Sequence, residues 1–368
     1  MRSRQRQLFW LALNFLVSEG HLSTGKALRY FDSEEKLFQP EPAWLDSLRL
    51  GFQAREKLIS SQLREQAEEE LEKLEEKEYT LLTFDDDRYP PLLREIMEPP
   101  LVLYCAGRPE VLSWAAVAIV GSRKPTSYGR VLAEQLAEEL AATGLTVVSG
   151  LARGVDTAAH RGALRTGLTV AVLGSGLERV YPKENKMLAE KIIEKGALVS
   201  EFPLTSEPLG HHFPLRNRII SGLTLGCLVV EAGLRSGALI TARLAADQGR
   251  EVMAVPGRVD SDLSRGPHLL IKQGAKLVES AEDLLLELPS PWKEVALERL
   301  NTNRKTVVGL EGREKLVYDA LPESSLIHID ELADKMQIAV AELLVVLLSL
   351  EMKELVVQEA GKFFRRRG

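Results

Sequence analysis

Short apolar runs alternate with longer amphipathic stretches through the middle of the chain. The runs are bounded by Gly, Ser or charged residues, as buried strands are, and most of the gaps between them place apolar residues at helical spacing. The runs lie at residues 115–120, 145–149, 169–173, 197–200, 225–231 and 251–255. This alternation predicts an α/β fold whose core is a doubly wound, largely parallel sheet with helices on both faces.

The N-terminal flank is predicted to be helical. Short amphipathic stretches separated by turn residues are followed by a highly charged helix at residues 62–78, so residues 1–78 are expected to form a small helical domain. The core is expected to begin at residue 79, with two further strands at 79–83 and 101–104, and to end at residue 288.

The first residues allow two interpretations. Arg2, Arg4 and Arg6 precede an apolar run at residues 8–17, an order that superficially resembles a secretory signal. An amphipathic first helix explains the apolar positions equally well, and Asn14 interrupts the run, so the helix is the favoured interpretation. Nowhere does an apolar run reach the ~18 residues that a membrane span needs.

The C-terminal flank resembles a linker followed by a winged helix. A linker is expected at residues 289–308, which contain two prolines and an Asn-Thr-Asn run. Residues 309–368 supply three helical patterns and a two-stranded ending around Gly361, the outline of a winged helix.

The third helix of this predicted winged helix, at residues 339–350, is almost wholly apolar, with only Glu342 and Ser349 as polar residues. A helix that binds base edges presents Arg, Lys, Asn or Gln. A protein-contact or regulatory role is therefore predicted for this domain, rather than sequence-specific binding of duplex DNA. The alternative is weak phosphate contact without sequence preference through the basic residues of the wing, Lys362, Arg365, Arg366 and Arg367.

Taken over the whole chain, the net charge of −6 argues against a nucleic-acid partner, but the charge is unevenly distributed along the sequence. Residues 1–114 hold 15 Lys and Arg against 21 Asp and Glu, whereas residues 115–288 hold 20 against 19. The acidity therefore lies mainly at the N-terminus, and a nearly neutral core can present a basic surface if its cations gather in a few loops.

The cysteines and the short motifs exclude several classes of site. Cys105 and Cys227 stand alone, so neither a disulfide framework nor a cysteine-rich metal site is supported, and a reducing, cytoplasmic location fits. The chain has no GxSxG elbow and no P-loop, and Arg179 stands where a GxGxxG fingerprint starting at Gly174 would need its last glycine. No catalytic residue, metal or cofactor is therefore assigned.

Gly-rich and cationic loops follow the predicted strands. Ligands of open α/β sheets bind beyond the carboxyl ends of the strands, and glycine-rich turns at helix N-termini expose amides that bind anions. Several such loops imply several phosphates. The candidate residues are Gly121, Ser122, Arg123, Ser149, Gly150, Arg153, Gly154, Lys183, Asn185, Arg216, Asn217 and Arg218. Because only Tyr181 and Phe213 add aromatic rings, a nucleic-acid ligand is expected to be bound more through its phosphate backbone than through its bases.

Several polar residues in or next to these loops can have a structural role instead of a role in ligand binding. Arg216 and Arg218 can instead pair with Glu201 or Glu231. Asp156 is expected to cap the helix predicted at residues 156–165. His160 is more typical of a hydrogen-bonded structural histidine than of a catalytic base or a ligand.

Strings distributed over residues 80–285 together resemble the DNA-processing protein A (Smf) family, bacterial proteins that bind and protect incoming single-stranded DNA. They include Gly121-Ser122-Arg123, Tyr181-Pro182 with Asn185, the stretch 213–222 and Ser236-Gly237 with Thr241-Ala242. The resemblance implies an extended Rossmann core, a single-strand pocket with phosphate contacts at Arg123 and Lys183, and loading of the RecA recombinase during natural transformation and recombination. It also implies that the N-terminal helices resemble a sterile-alpha-motif-like domain, and that the chain is no enzyme.

The resemblance also implies a homodimer through the far end of the core. Leu269, Leu270 and Ile271 form an apolar group there, although ordinary core packing is an alternative because consecutive residues cannot share one helix face. A different class of protein, a Rossmann-like nucleotide-processing hydrolase of the lysine-decarboxylase-like family, has a similar core. Its Pro-Gly-Gly-x-Gly-Thr string is replaced here by residues 231–237, which makes it the less favoured interpretation.

Overall fold

A nine-stranded sheet organises residues Met1–Arg299, the larger of two units in the computed structural model. The structure describes residues 3–48, 50–306, 312–322, 325–353 and 355–366. The strands are β1 (Thr80–Thr83), β2 (Val102–Gly107), β3 (Ala116–Val120), β4 (Thr146–Ser149), β5 (Thr169–Val172), β6 (Ala197–Ser200), β7 (Gly226–Val229), β8 (Glu251–Ala254) and β9 (Lys276–Leu277). Their spatial order is β1-β2-β6-β5-β4-β3-β7-β8-β9.

The prediction of a doubly wound, largely parallel sheet is confirmed. Within this sheet the strands from β3 to β9 pair in parallel, and the β1–β2 and β2–β6 pairs are antiparallel. The chain moves outward from β3 through β4 and β5 to β6, and then returns to the other side of β3 to add β7. The order of the strands therefore reverses between β3 and β7, and a ligand crevice is expected at this switch point.

Helices cover both faces of the sheet. Those between residues 84 and 288 are α7 (Pro91–Arg94), α8 (Ser127–Ala142), α9 (Val155–Thr166), α10 (Lys186–Lys195), α11 (His212–Gly222), α12 (Gly237–Asp247), α13 (Arg265–Lys272) and α14 (Ala281–Leu286). Side chains alternate between the faces with a period of two residues. In β2, Val102 and Tyr104 join one hydrophobic cluster with α10, whereas Leu103 and Cys105 join another with α11 and α12.

The N-terminal helices form a layer on the sheet rather than a separately packed domain. They are α1 (Arg4–Ser18), α2 (Thr24–Tyr30), α3 (Glu34–Phe38), α4 (Pro42–Ser47), α5 (Phe52–Ile59) and α6 (Gln62–Glu76). Helix α1 buries the apolar run that resembled a signal, in the same cluster as Tyr104. Asn14 donates a hydrogen bond to the Glu201 carbonyl at 3.1 Å, and the Glu70 carboxylate accepts one from the Leu204 amide at 2.6 Å. The predicted boundary at residue 78 therefore does not divide the packing.

The linker predicted at residues 289–308 is corrected by the structure, because Trp292–Thr306 form helix α15. Ala296 and Leu300 are buried, and Arg299 donates to the Thr143 carbonyl at 3.0 Å. These contacts stabilise a helix in a stretch whose composition is polar. The end of the predicted linker, residues 307–308, lies outside the described residues.

The smaller unit, Leu300–Gly368, contains the predicted winged helix. Its elements are α16 (Gly312–Ala320), β10 (Ile327–His328), α17 (Ile329–Met336), α18 (Val340–Met352), β11 (Val356–Glu359) and β12 (Phe363–Arg366). The strands form an antiparallel sheet in the order β10-β12-β11, one strand more than the predicted ending. Helix α18 buries Leu343 and Leu347, while Val345 and Met352 stay exposed. Among the described residues, no helix has both the length and the apolar character to cross a membrane.

Candidate nucleic-acid interface

The loops that follow β3, β4 and β7 meet at the switch point of the sheet, where they surround a cleft of about 580 Å³. Arg123 lines this cleft together with the N-terminal turns of α11 and α12. It also lines a small adjoining cavity with Arg153, Tyr181 and Phe213. The structure thus brings together loops that are far apart in the sequence, as the parallel sheet predicts.

The loop after β3 is held by internal hydrogen bonds that leave Arg123 exposed. Ser122 accepts a hydrogen bond from the Lys124 amide at 3.0 Å, and its own amide donates to the Glu231 carbonyl at 2.6 Å. A side chain at Gly121 would overlap Val155 and the Glu231 carbonyl. The Arg123 guanidinium lies 5.5 Å from the centre of the Phe213 ring, and no described carboxylate pairs with it.

The loop after β4 is tied to the first turn of α9. The Asp156 carboxylate accepts hydrogen bonds from the amides of Gly150 at 3.2 Å and Ala152 at 3.3 Å. The prediction that Asp156 caps the helix is therefore wrong, because Gly154, with φ of 79°, is the N-cap. Burial raises the pKa of Asp156, and the charge of Arg216 opposes the rise.

Arg216 lies beneath the cleft as a buried support. It is 4% exposed, and its Nη1 atom donates to the Gly150 carbonyl at 2.7 Å and to the Val172 carbonyl. Burial lowers the pKa of its guanidinium to about 10, while Asp156 acts in the opposite direction. The sequence predicted Arg216 as a direct phosphate contact, and the structure shows that its Nη1 atom joins the loop after β4 to the end of β5.

Four other predicted contact residues also have internally bonded side chains, of which those of Ser149, Asn185 and Asn217 are buried and that of Arg218 is partly buried. Ser149 donates to the Ile119 carbonyl at 2.7 Å within the sheet, and Asn185 donates to the Leu151 carbonyl at 2.8 Å. Asn217 donates to the Gly237 carbonyl at 3.4 Å. Arg218 forms an ion pair with Glu201, which is one of the two structural pairings that the sequence analysis allowed for this arginine. These side chains hold the loops in position through bonds within the protein, and their direct contact with a ligand stays a prediction.

Three predicted cations remain on the surface of this region. Arg123 and Lys183 are exposed, and neither has an ion-pair partner among the residues that the structure describes. Arg153 is also exposed, but its guanidinium binds the Glu184 carboxylate with an Nη2–Oε2 distance of 2.7 Å. This hydrogen bond lowers the pKa of Glu184, so Arg153 carries its own counter-charge.

The aromatic rings lie beside these cations. The rings of Tyr181 and Phe213 are 5.9 Å apart, and Tyr181 is 40% exposed. Arg235, which the sequence analysis did not select, also lines the larger cleft and is exposed. The sequence signal that could have identified Arg235 is its place in the loop between β7 and α12, since the other candidate residues also lie in loops that follow strands.

His160 is a structural residue, as its sequence context suggested. It is fully buried, and its Nδ1 atom lies 2.7 Å from Oγ1 of Thr169. Because this hydroxyl donates to the Val147 carbonyl at 2.6 Å, Nδ1 must carry the proton that joins the two side chains. Burial, with the charge of Arg216, lowers the pKa of His160 to about 3.

Other reactive groups are enclosed. Burial raises the pKa of both Cys105 and Cys227 to about 12. Within the described ranges, no group of three His, Cys, Asp or Glu side chains is placed to hold a metal ion.

The apolar group predicted for dimerisation is only partly exposed. Leu270 is 6% exposed and packs in the cluster beneath α12, whereas Leu269 and Ile271 are half-buried. The prediction is corrected for Leu270, because a core side chain cannot contribute to an interface without leaving the core.

Known proteins similar to this chain share both of its units. Residues 80–289 match the family described as DNA recombination-mediator protein A, and residues 305–362 match the DprA winged helix domain. The chain is 33% identical to Protein Smf of Synechocystis sp. across 99% of its own length and 100% of the relative. It is 48% identical to Protein Smf of Escherichia coli, but this match spans only 58% of that relative and 58% of the chain.

Two solved structures share the fold. DNA processing protein A from Streptococcus pneumoniae superposes with a TM-score of 0.65 at 36% identity, covering 78% of this chain and 99% of that one. DNA processing protein A from Helicobacter pylori, studied for its single-stranded DNA binding mode, gives a TM-score of 0.52 at 28% identity and covers 62% of this chain and 98% of its own.

The buried His160 predicts a pH dependence of stability. Its folded pKa is about 3, below the value of about 6.5 expected in the unfolded chain, so the unfolded state binds more protons between these values. Stability from this group is complete above about pH 6.5 and falls as the pH drops, by up to about 1.4 kcal/mol per pH unit. We expect His160→Gln to give a shallower slope of unfolding free energy against pH, measured by chemical denaturation between about pH 4.5 and 6.

Thr169→Val is the matched control, because it removes the same hydrogen bond and keeps the imidazole. It should retain the wild-type slope. Equal slopes for wild type and His160→Gln would contradict the assignment of a neutral, buried His160.

Proposed function

This chain belongs to the DNA recombination-mediator protein A family, and we propose that it binds single-stranded DNA, protects it and loads the RecA recombinase onto it during DNA uptake and recombination. The observation that carries the DNA-binding part is a pair of exposed cations: Arg123 lines the cleft at the switch point beside Phe213, and Lys183 follows Tyr181 and Pro182, which line the adjoining cavity. The Helicobacter pylori relative, which shares this fold, binds single-stranded DNA.

The strand is proposed to be held mainly through its phosphates. Arginine and lysine without a protein counter-charge attract phosphates at any base sequence, and releasing the DNA counter-ions makes such binding sensitive to salt. The two rings supply stacking for one or two bases, at about 1 to 3 kcal/mol each. Because stacking accepts every base, it adds affinity without strong sequence preference.

We also propose that the protein acts by binding rather than by catalysis. The groups that a hydrolase would use are engaged elsewhere: the Ser149 hydroxyl donates within the sheet, and His160 is fully buried. A nucleoside-monophosphate hydrolysis assay tests this point against the nucleotide-processing alternative. The cytoplasmic location is proposed from the same family membership and from two buried, free cysteines.

Replacing both exposed cations tests the DNA site. We expect Arg123→Ala with Lys183→Ala to weaken binding of a labelled dT oligonucleotide and to reduce the slope of log affinity against log salt by about 1.4, since each lost phosphate contact contributes about 0.7 on single strands. Fluorescence anisotropy at several salt concentrations measures both quantities.

A double variant of two exposed cations on α2 that line neither cavity, Lys26→Ala with Arg29→Ala, has the same change in net charge and serves as the control. It should keep the wild-type slope. If the Arg123 and Lys183 variant binds as tightly as wild type at every salt concentration, the cleft is not the DNA site.

A homodimer is proposed through the end of the sheet that carries β9. Leu269 is half-buried on α13, and Leu277 is 47% exposed on β9, which is the last strand of the sheet. An edge strand leaves backbone donors and acceptors unpaired and readily takes a partner. The recombinase contact is proposed from family membership.

Changing the half-buried Leu269 and the exposed Leu277 tests the dimer and leaves the core residue Leu270 in place. We expect Leu269→Glu with Leu277→Glu to shift the protein from dimer to monomer in sedimentation velocity at micromolar concentration, because a charge would have to be buried at the interface. Ile59→Glu, which changes a 64% exposed residue of α5, is the control and should leave the dimer intact. A wild-type protein that sediments as a monomer would refute the proposal.

A further inference from the structure

We propose that the loop after β7 forms a second phosphate-binding subsite in the same cleft, made by Arg235, the N-terminus of α12 and the buried edge of Arg216. The inference rests on the proposed function, since the phosphate belongs to the bound DNA. It adds a contact on the β7 side of the switch point to the one that Arg123 supplies on the β3 side.

The first element is the N-terminus of α12, an 11-residue helix that begins at the cleft. Its N-cap, Ser236, accepts a hydrogen bond from the Ala238 amide at 3.3 Å. The Gly237 amide has no acceptor among the described residues, and no atom lies within 4 Å of where a side chain at Gly237 would begin. An unpaired amide at the positive end of a helix, facing open space, is a site for an anion.

The second element is the charge beside this amide. Arg235 is exposed, lines the cleft and has no ion-pair partner in the part of the chain that the structure describes. The carboxylate of the same loop, Glu231, is 7% exposed and accepts hydrogen bonds from the Thr126 amide at 2.8 Å and the Thr126 hydroxyl at 2.7 Å. Glu231 therefore does not compete with a phosphate for Arg235.

The third element points independently to a ligand. Arg216 is 96% buried and lines the cleft, and although its Nη1 atom bonds two carbonyls, its Nε atom has no hydrogen-bond partner among the described residues. A buried guanidinium donor without an acceptor is costly, and an acceptor brought by a ligand would satisfy it. A phosphate oxygen accepts charge-assisted hydrogen bonds of this kind.

The remaining carboxylate on the cleft wall does not oppose an anion strongly. Asp156 accepts two amides of the loop after β4, and its negative charge is offset by Arg216. The cleft therefore presents two exposed arginines, a helix N-terminus and one buried guanidinium edge. This donor set fits a phosphate, either an internal phosphodiester of the strand or a terminal phosphate.

Arg235→Ala tests the subsite. We expect affinity for a labelled dT oligonucleotide to fall about five- to tenfold at low salt, and the salt slope to fall by about 0.7. Arg235→Lys should keep the slope, because it retains the charge. Arg243→Ala removes an exposed arginine of α12 that does not line the cleft, and it should behave as wild type.

The oligonucleotide is used with and without a 5′-phosphate to distinguish the two sources. An equal loss with both identifies an internal phosphodiester, and a loss confined to the phosphorylated strand identifies a terminal phosphate. Wild-type affinity and slope for Arg235→Ala, with binding still weakened in the Arg123 and Lys183 variant, would overturn the subsite and leave the proposed function standing. Absence of DNA binding by the wild-type protein would overturn both.

Discussion

A single buried guanidinium holds the loops of the cleft in place. Arg216 reaches from α11 to the carbonyls of Gly150 and Val172, which lie at the ends of two neighbouring strands. Burying a charge is costly unless it is hydrogen-bonded and has a counter-charge nearby, and Asp156 provides that charge while binding two amides of the same loop. The approach is so close that a side chain at Gly150 would overlap the guanidinium.

This arrangement divides the polar residues of the region into two groups. One group is buried and bonds to the protein itself, so it fixes the loops without meeting solvent. The other group, which includes Arg123, Lys183 and Arg235, is exposed and without described carboxylate partners. A protein with a net charge of −6 can therefore present a locally cationic cleft, because the field at the loops depends on the nearest charges.

The sequence predicted the sheet well because buried parallel strands are continuous apolar runs, but β9 has only two residues and so no pattern to detect. The sequence analysis located the loops of the candidate site, but it did not predict which of their side chains are exposed and which are buried. Arg216 and Gly150 are 66 positions apart, and Arg218 and Glu201 are 17 apart, so burial and pairing depend on tertiary contacts that no local pattern contains. Helix α15 was missed for a similar reason, since its stability comes from residues such as Ala296 that are buried only in the folded chain.

The central claim is that the cleft binds the strand through its phosphates. The most direct test compares three dT oligonucleotides of one length with the wild-type protein: the natural strand, a strand with neutral methylphosphonate linkages, and a strand with the bases removed. The account predicts that neutral linkages abolish most of the affinity and its salt dependence, whereas removing the bases costs only the stacking of one or two rings and leaves the salt slope unchanged. Tight binding of the neutral strand, with loss of binding to the abasic strand, would contradict it.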